Sequence, residues 1–307
     1  MANIIAIVWD FDKTLVAGYM QDPIFKHYGV DAKVFWDEVN SLPEKYKAEQ
    51  GVRVNPDTIY LNQFIRYAKS GRFKGLDNAR LKEFGAELEY YPGVPQIFEL
   101  TRNVIEENEV YKAFGIKVEH YIVSTGMRQI IEGSAVRKYV EQVWGCDLIE
   151  GEDKDGEKCI SEIGYTIDNT SKTRALFEIN KGVGHPESGG VEVNTKIPEE
   201  NRRVHFINMV YVADGPSDVP AFSVVNRNKG ATFAIYPQGD MNALKQVKDM
   251  RTADRINMYA EADYREGKTA CMWLCNKVKE FAERICKEER AKMAQFVDIK
   301  PPKHLTT

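Results

Sequence analysis

The sequence predicts an α/β protein: a three-layer α/β/α sandwich around a mostly parallel, Rossmann-like sheet, with a helical domain inserted early in the chain. Three observations predict it. The chain opens on an apolar run, Ile4-Ile5-Ala6-Ile7-Val8-Trp9, which reads as a strand buried on both faces, as parallel strands are. Later apolar runs at 118–123, 210–213 and 231–235 alternate with helical patterns, the arrangement of parallel strands joined by crossover helices. Residues 18–89 show helical spacing and no convincing strand.

After the first strand, residues 23–28 read as a short helix and 31–46 as a second, with Val34, Phe35 and Val39 apolar. Asn55-Pro56 has the form of a helix start, Asn as N-cap and Pro at the first helical position. Ile59, Tyr60, Phe64, Ile65 and Ala68 then trace one face, Gly71 suits the stop, and 76–88 gives a further helix. The turn Tyr90-Tyr91-Pro92-Gly93 leads into a helix to about 108, with Ile97, Phe98, Leu100, Thr101, Val104 and Ile105 expected inside. A strand at 118–123 and a helix at 127–139 follow. Asp155-Gly156 between apolar stretches marks a hairpin within 148–168. Residues 170–180 read as a helix, and 182–203, with four glycines and two prolines, as a surface loop. A strand ending at Ala213, a helix at 219–225, a strand at 231–235 and a long charged amphipathic helix at 270–294 complete the pattern. The expected division is 1–17 with 90–307 as the core domain and 18–89 as the inserted helical domain.

Composition is that of a globular protein. With 307 residues the chain can bury a sizeable core, and a net charge of −4 gives no electrostatic footprint for nucleic acid. No apolar run reaches the roughly 20 residues that span a bilayer. The apolar N-terminal run has no basic segment before it and is expected to be core rather than a signal peptide. The five cysteines are odd in number, without CxxC spacing, which suits a reducing cytoplasm. Cys271 and Cys275 share a helix face and read as packing rather than metal ligands. Oligomeric state is not legible.

The chemistry begins where the first strand ends. Asp10 and Asp12 stand one residue apart, followed by Thr14. Buried strands carry few charges, and the carboxyl ends of strands are where open parallel sheets place ligands. Two carboxylates there can divide labour, one as nucleophile or metal ligand and the other as general acid/base. Taken alone, an acidic strand-to-loop turn with Asp12 capping a helix would also explain the pair. Three more segments carry similar groups. His120-Tyr-Ile-Val-Ser-Thr-Gly126 is a strand ending in Ser124, Ser171-Lys-Thr-Arg-Ala-Leu176 offers Lys172, and Val210-Tyr-Val-Ala-Asp-Gly-Pro-Ser-Asp218 is a strand ending in Asp214 and Asp218. Singly, Ser124 could be an N-cap, Lys172 a solvated helix lysine and Asp214 with Asp218 a capped turn.

These four segments, in this order, resemble motifs I to IV of the haloacid dehalogenase (HAD) superfamily. The resemblance covers about residues 1–17 and 90–240, and the helical insertion after motif I is similar to the cap of the phosphoserine phosphatase branch. It implies a Mg²⁺-dependent phosphatase of a small phosphorylated metabolite. Asp10 would attack phosphorus, and Asp12 would be general acid/base. Ser124, Thr125 and Gly126 with Lys172 would hold the phosphoryl group. Mg²⁺ would sit on Asp10, Asp12 through its carbonyl, Asp214 and Asp218. The resemblance also implies that an aspartate at position 12 marks phosphoryl transfer rather than dehalogenation. Lys181 remains an alternative to Lys172. Asp12-Lys-Thr14 is similar to the start of the DKTGT motif of P-type ATPases, but Leu15-Val16 follows, so Asp10 stays the expected nucleophile. The cap is expected to close over the site about Gly18 and the 90–93 turn. Its charges Asp22, Arg53 and Arg66 are the first candidates for reading the substrate. A phosphomutase and a catalytically silent binding protein are the alternatives on this fold.

Overall fold

A computed structural model of the protein describes residues 3–297; the first two and last ten residues of the expected core lie outside the described part. Seven strands form one sheet in the order β4-β3-β2-β1-β5-β6-β7. They are β1 (Asn3–Trp9), β2 (Ile116–Met127), β3 (Gln142–Glu152), β4 (Lys158–Tyr165), β5 (Met209–Ala213), β6 (Ala231–Tyr236) and β7 (Met258–Glu261). All neighbours are parallel except β3 and β4, which form the hairpin expected around Asp155-Gly156. Gly156 takes a φ of +80°, the left-handed turn conformation that glycine adopts without steric cost.

Strand β1 is central because it is apolar on both faces. Ile5, Ile7 and Trp9 enter one core, while Ile4, Ala6 and Val8 enter the other. The first core is covered by α5 (Gln96–Glu106) and α11 (Thr269–Val297), with α6 (Glu109–Ala113) beside them. The second is covered by α8 (Lys172–Lys181), α9 (Val219–Arg227) and α10 (Met241–Thr252). This is the three-layer sandwich that the sequence predicts. The chain leaves β1 toward β2 on one side and meets β5 on the other, so the strand order reverses at β1. Ligand crevices of open α/β sheets form at such a switch point.

Residues 18–89 carry α1 (Asp22–Tyr28), α2 (Ala32–Gln50), α3 (Ile59–Lys69) and α4 (Asn78–Gly85), and no strand. Asp31 caps α2 by accepting from the Val34 N–H, and Asp77 caps α4 through the Arg80 N–H. Phe25, Phe35, Phe64 and Phe73 fill the space between these helices, with ring centroids 4.9–5.8 Å apart for the tighter pairs. The segment is fastened to the sheet at several points. The Ile160 N–H donates to the Leu76 carbonyl at 2.7 Å, Asn78 donates to Glu150 and to the Leu148 carbonyl, and Asn55 donates to Asp168 at 2.9 Å.

Several elements differ from the sequence expectation. The helix expected at 127–139 is only α7 (Arg128–Glu132), followed by a single 3-10 turn at Arg137–Tyr139. Here Gly133 lies against α4, where a Cβ would stand 1.8 Å from the Lys82 carbonyl oxygen. Strand β2 does not stop at Val123 but continues through Met127 across a register shift. Asn55-Pro56 opens a turn rather than the helix. Asn55 accepts from the Asp57 N–H, and α3 begins at Ile59. Leu100 and Val104 are half-buried on the rim of the core rather than inside it. Helix α10 and strand β7 have no counterpart in the sequence reading. Among the described residues no helix is long and apolar enough to cross a membrane.

Candidate active site

Strand register brings the four sequence segments together. Trp9 pairs with Ile122 of β2 and Val212 of β5, so the residues that follow these strands emerge side by side. The Asp10 N–H donates to the Val212 carbonyl at 2.8 Å, which prolongs the ladder by one residue and fixes the Asp10 carboxyl at the sheet's end. Asp10, Asp12, Ser124, Thr125, Lys172 and Asp214 line one cleft of about 160 Å³, together with Lys13, Tyr19 and Ser217. Asp218 is fully buried behind it, and Gly126 is buried beside it.

Lys172 organises the floor. Its ammonium donates to Asp10 Oδ1 and to Asp218 Oδ1, both at 2.7 Å. Asp218 also accepts from the Tyr211 hydroxyl at 2.6 Å and the Ser217 hydroxyl at 2.9 Å, so both of its oxygens are held in place. Asp10 Oδ2 accepts from Thr14 at 3.3 Å. Burial pulls the Lys172 pKa down, but Asp10 and Asp218 outweigh it and the group stays a cation. Lys181, the alternative, donates to the carbonyls of Val193 and Thr195 in the surface loop and takes no part in the cleft.

Acids outnumber cations here. Burial, opposed by Lys172 and reinforced by Asp218, pushes Asp10 up to about 6. Burial and the neighbouring Asp10 and Asp218 push Asp214 up to about 7. Burial and Asp10 raise Asp12 well above the usual carboxylate range. Four carboxylates thus face two ammonium groups. Oxygens of Asp10, Asp214 and Asp218 lie within 4.8 Å of one another, a hard-oxygen set of the kind Mg²⁺ takes.

Asp12 stands outside that trio. Its Oδ1 accepts from the Met20 N–H at 2.7 Å, which fixes the carboxyl's orientation. Lys13, at a φ of +54°, turns the chain so that Asp12 and Thr14 can both reach their partners. Its ammonium donates to the Tyr19 hydroxyl at 2.7 Å and lies 4.3 Å from that ring's centroid. Ser124 Oγ accepts from the Gly126 N–H at 2.9 Å, which leaves its own proton free. A Cβ on Gly126 would stand 2.1 Å from the end of the Met20 side chain, which would have to move aside. Tyr60, from α3, donates to the Thr125 carbonyl at 2.8 Å.

Sequence reasoning found the charged floor but missed Lys13, Tyr19, Tyr60, Tyr211 and Ser217. Lys13 and Ser217 lie inside the motifs and could have been tested as neighbours. The tyrosines carry no local signal. Of the three cap charges, Asp22 accepts from the Tyr19 N–H at 2.9 Å and so positions that ring; Arg66 donates to the Tyr46 hydroxyl and Arg53 is exposed. None of them lines the cleft.

No protein-family model matches the chain. An uncharacterized protein of Borreliella burgdorferi is 36% identical over 289 residues, covering 90% of this chain and 97% of that protein. Among solved structures, a HAD family hydrolase from Salmonella enterica subsp. enterica serovar Typhi is similar at a TM-score of 0.51 and 15% identity, over 89% of this chain and 71% of that one. A phosphoserine phosphatase in apo form is similar at a TM-score of 0.48 and 17% identity, over 87% and 97%. At these identities the structural likeness speaks to fold alone. The chain belongs to one family with the Borreliella burgdorferi protein, and its fold is that of the haloacid dehalogenase superfamily.

Proposed function

We propose that the protein is a Mg²⁺-dependent phosphatase of small phosphomonoesters, with residues 18–89 as a cap beside the site. The observation that carries this reading is the buried Asp10 carboxylate. It stands at the end of the central strand, in a cleft that also holds a second, protonatable carboxylate and a free serine hydroxyl.

Asp10 attacks phosphorus and forms an aspartyl-phosphate as the bond to the leaving oxygen breaks. Asp12, whose pKa burial and the neighbouring Asp10 raise, gives a proton to the leaving oxygen. The resulting Asp12 carboxylate then takes a proton from water. The water oxygen bonds to phosphorus, inorganic phosphate departs and Asp10 is restored. Ser124 donates its free proton to a phosphoryl oxygen, and Lys172 offsets negative charge on Asp10 and the transferring group. Mg²⁺ fits the excess of carboxylate over ammonium and the all-oxygen donor set. Asp10, Asp214 and Asp218, with the Asp12 carbonyl, would hold it, and it would supply the positive charge that a dianionic ester needs beside four acids. All five cysteines are free thiols, in keeping with a cytoplasmic protein.

The test is phosphate release from a panel of phosphorylated metabolites, with Mg²⁺ or with chelator, wild type beside Asp10→Asn. Release that needs Mg²⁺ and disappears in Asp10→Asn is expected. Release that survives Asp10→Asn, or none from any compound, would overturn the reading.

A further inference from the structure

Strand β2 parts from its neighbour where it lines the cleft. Val123 pairs with Trp144 of β3 and Met127 with Cys146, so Ser124, Thr125 and Gly126 stand opposite Gly145 alone. Three residues against one cannot keep the ladder, and their backbone groups need other partners. The Gly126 N–H donates to Ser124 Oγ at 2.9 Å, and the Met127 N–H to Met20 Sδ at 3.1 Å. The Thr125 carbonyl accepts from the Tyr60 hydroxyl at 2.8 Å and lies 3.3 Å from Cys146 Sγ. Tyr60 lies on α3 and Met20 just before α1, so residues 18–89 supply partners on both sides of the excursion.

A trans peptide points its C=O and the following N–H in opposite directions. The bond from Tyr60 to the Thr125 carbonyl therefore also fixes the Gly126 N–H, which faces the other way, onto Ser124 Oγ. That N–H occupies a lone pair of Oγ and leaves the serine proton for an acceptor in the cleft. With the plane turned over, the Thr125 carbonyl would face Ser124 Oγ and take that proton itself. Cys146 is the weaker of the two donors. Its thiol proton is shared between the carbonyls of Thr125 and Ile167, and a thiol donates weakly. The Tyr60 ring is 5% exposed and packs against Trp36 and Phe64, so its hydroxyl is delivered from a fixed position.

We propose that Tyr60 is a positioning residue of the phosphoryl site: through the Thr125–Gly126 peptide it sets the Ser124 hydroxyl so that its proton meets a phosphoryl oxygen. The proposal rests on the phosphatase reading, in which Ser124 holds the phosphoryl group. It adds that the helical insertion acts on that group without touching it. A hydrogen bond from Ser124 to a charged phosphoryl group strengthens binding by about tenfold or more, and Tyr60 shares in that effect only while Ser124 is present.

The test is a double-mutant cycle read by binding. Inorganic phosphate in Mg²⁺ is titrated calorimetrically into wild type, Tyr60→Phe, Ser124→Ala and the double variant, each variant's folding being checked by its melting temperature. Tyr60→Phe keeps the ring and removes the donor. Phosphate is expected to bind about threefold to tenfold more weakly in Tyr60→Phe and about tenfold or more weakly in Ser124→Ala, with no further loss in the double variant. Mg²⁺ affinity, measured without phosphate, should stay within about twofold across all four, because the hydroxyl of Tyr60 does not act through the carboxylates. Unchanged phosphate affinity in Tyr60→Phe, or losses that multiply in the double variant as a merely structural role would give, would overturn the proposal and leave the phosphatase reading standing. Phosphate release from esters is read separately on wild type. The expected cycle without release from any ester would uphold the role of Tyr60 and sink the hydrolytic reading, and wild type that binds no phosphate would overturn both.

Discussion

Replacing Lys172 with methionine probes the charge balance of the site directly. The ammonium stands 2.7 Å from both Asp10 and Asp218, and its side chain is only 2% exposed. Methionine fills the volume but leaves two carboxylates within 4.8 Å of each other with no cation between them. At an effective dielectric of about 20 that repulsion is roughly 3.5 kcal/mol, within the range for stripping a buried ion pair of one partner. Asp218 keeps its bonds from Tyr211 and Ser217, so the strain falls on Asp10. For a chain of this size the loss lowers the melting temperature by about 5 °C in chelator. The same uncompensated charge should draw a divalent cation more strongly, so Mg²⁺ is expected to raise the melting temperature of Lys172→Met by more than it raises that of wild type. Phosphate release should fall all the same, because the charge on the transferring group loses its partner. Thermal melts of both proteins in chelator and in Mg²⁺ decide it. A variant that melts within about 1 °C of wild type in chelator, or an equal Mg²⁺ shift in the two proteins, would refute the reasoning.

Asp12→Asn cannot pass a proton to the leaving oxygen, so steady-state phosphate release should drop about 10²- to 10⁴-fold while Mg²⁺ binding, followed calorimetrically, changes little. His120 is fully buried, accepting from the Trp9 indole N–H at 3.1 Å, and burial holds its pKa well below 6.5. The fold therefore keeps it neutral while the unfolded chain takes up a proton below about pH 6.5. Its contribution is complete above that pH and is lost as pH falls, by about 2 kcal/mol between pH 7 and 5. Denaturant unfolding at the two pH values should show that loss in wild type and a smaller one in His120→Gln; parallel losses would assign the acid sensitivity elsewhere. Gly133→Ala places a methyl 1.8 Å from the Lys82 carbonyl oxygen, against backbone that cannot yield cheaply, so stability should fall by about 1–3 kcal/mol in the same assay. No loss would mean that α4 and α7 separate easily.

What the sequence made legible depended on how local its cause was. The apolar run before Asp10 reads as a buried strand, and the matching run before Asp214 placed a second carrier of chemistry at a strand end; Ser124 instead sits at the register shift within β2. Lys172 was legible as a position but not as a partner, since only the packing of α8 across the sheet brings its ammonium to Asp10. The expected helix at 127–139 failed for a tertiary reason: the close approach of α4 at Gly133 leaves one turn and a half. Strand β7 went unread because only Ala260 of its four residues is buried, so this sheet edge makes no apolar run. Tyr19 was invisible for the same reason as Lys172. In sequence it is an ordinary aromatic residue, and only the fold brings it to the cleft beside Lys13.

The attachments of the helical insertion bear on how a substrate enters. A rotation of the whole insertion about Gly18 and the 90–93 turn would break the backbone bond from Ile160 to Leu76. It would also break the bonds of Asn78, Asn55 and Tyr60 to the sheet side, and separate the glycine contact of α4 with α7. Several of these groups would be left without partners, and each net hydrogen bond lost costs about 1 kcal/mol. The loop from Asp12 to Asp22 is fastened as well: the Lys13 N–H donates to the Gly18 carbonyl, the Ala17 N–H to the Glu89 carbonyl, the Tyr91 N–H to the Leu15 carbonyl, the Tyr264 hydroxyl to the Thr14 carbonyl and the Met20 N–H to Asp12. The part of the cleft wall that moves with the fewest bonds broken is therefore the exposed Tyr19 side chain, whose hydroxyl accepts from Lys13 alone.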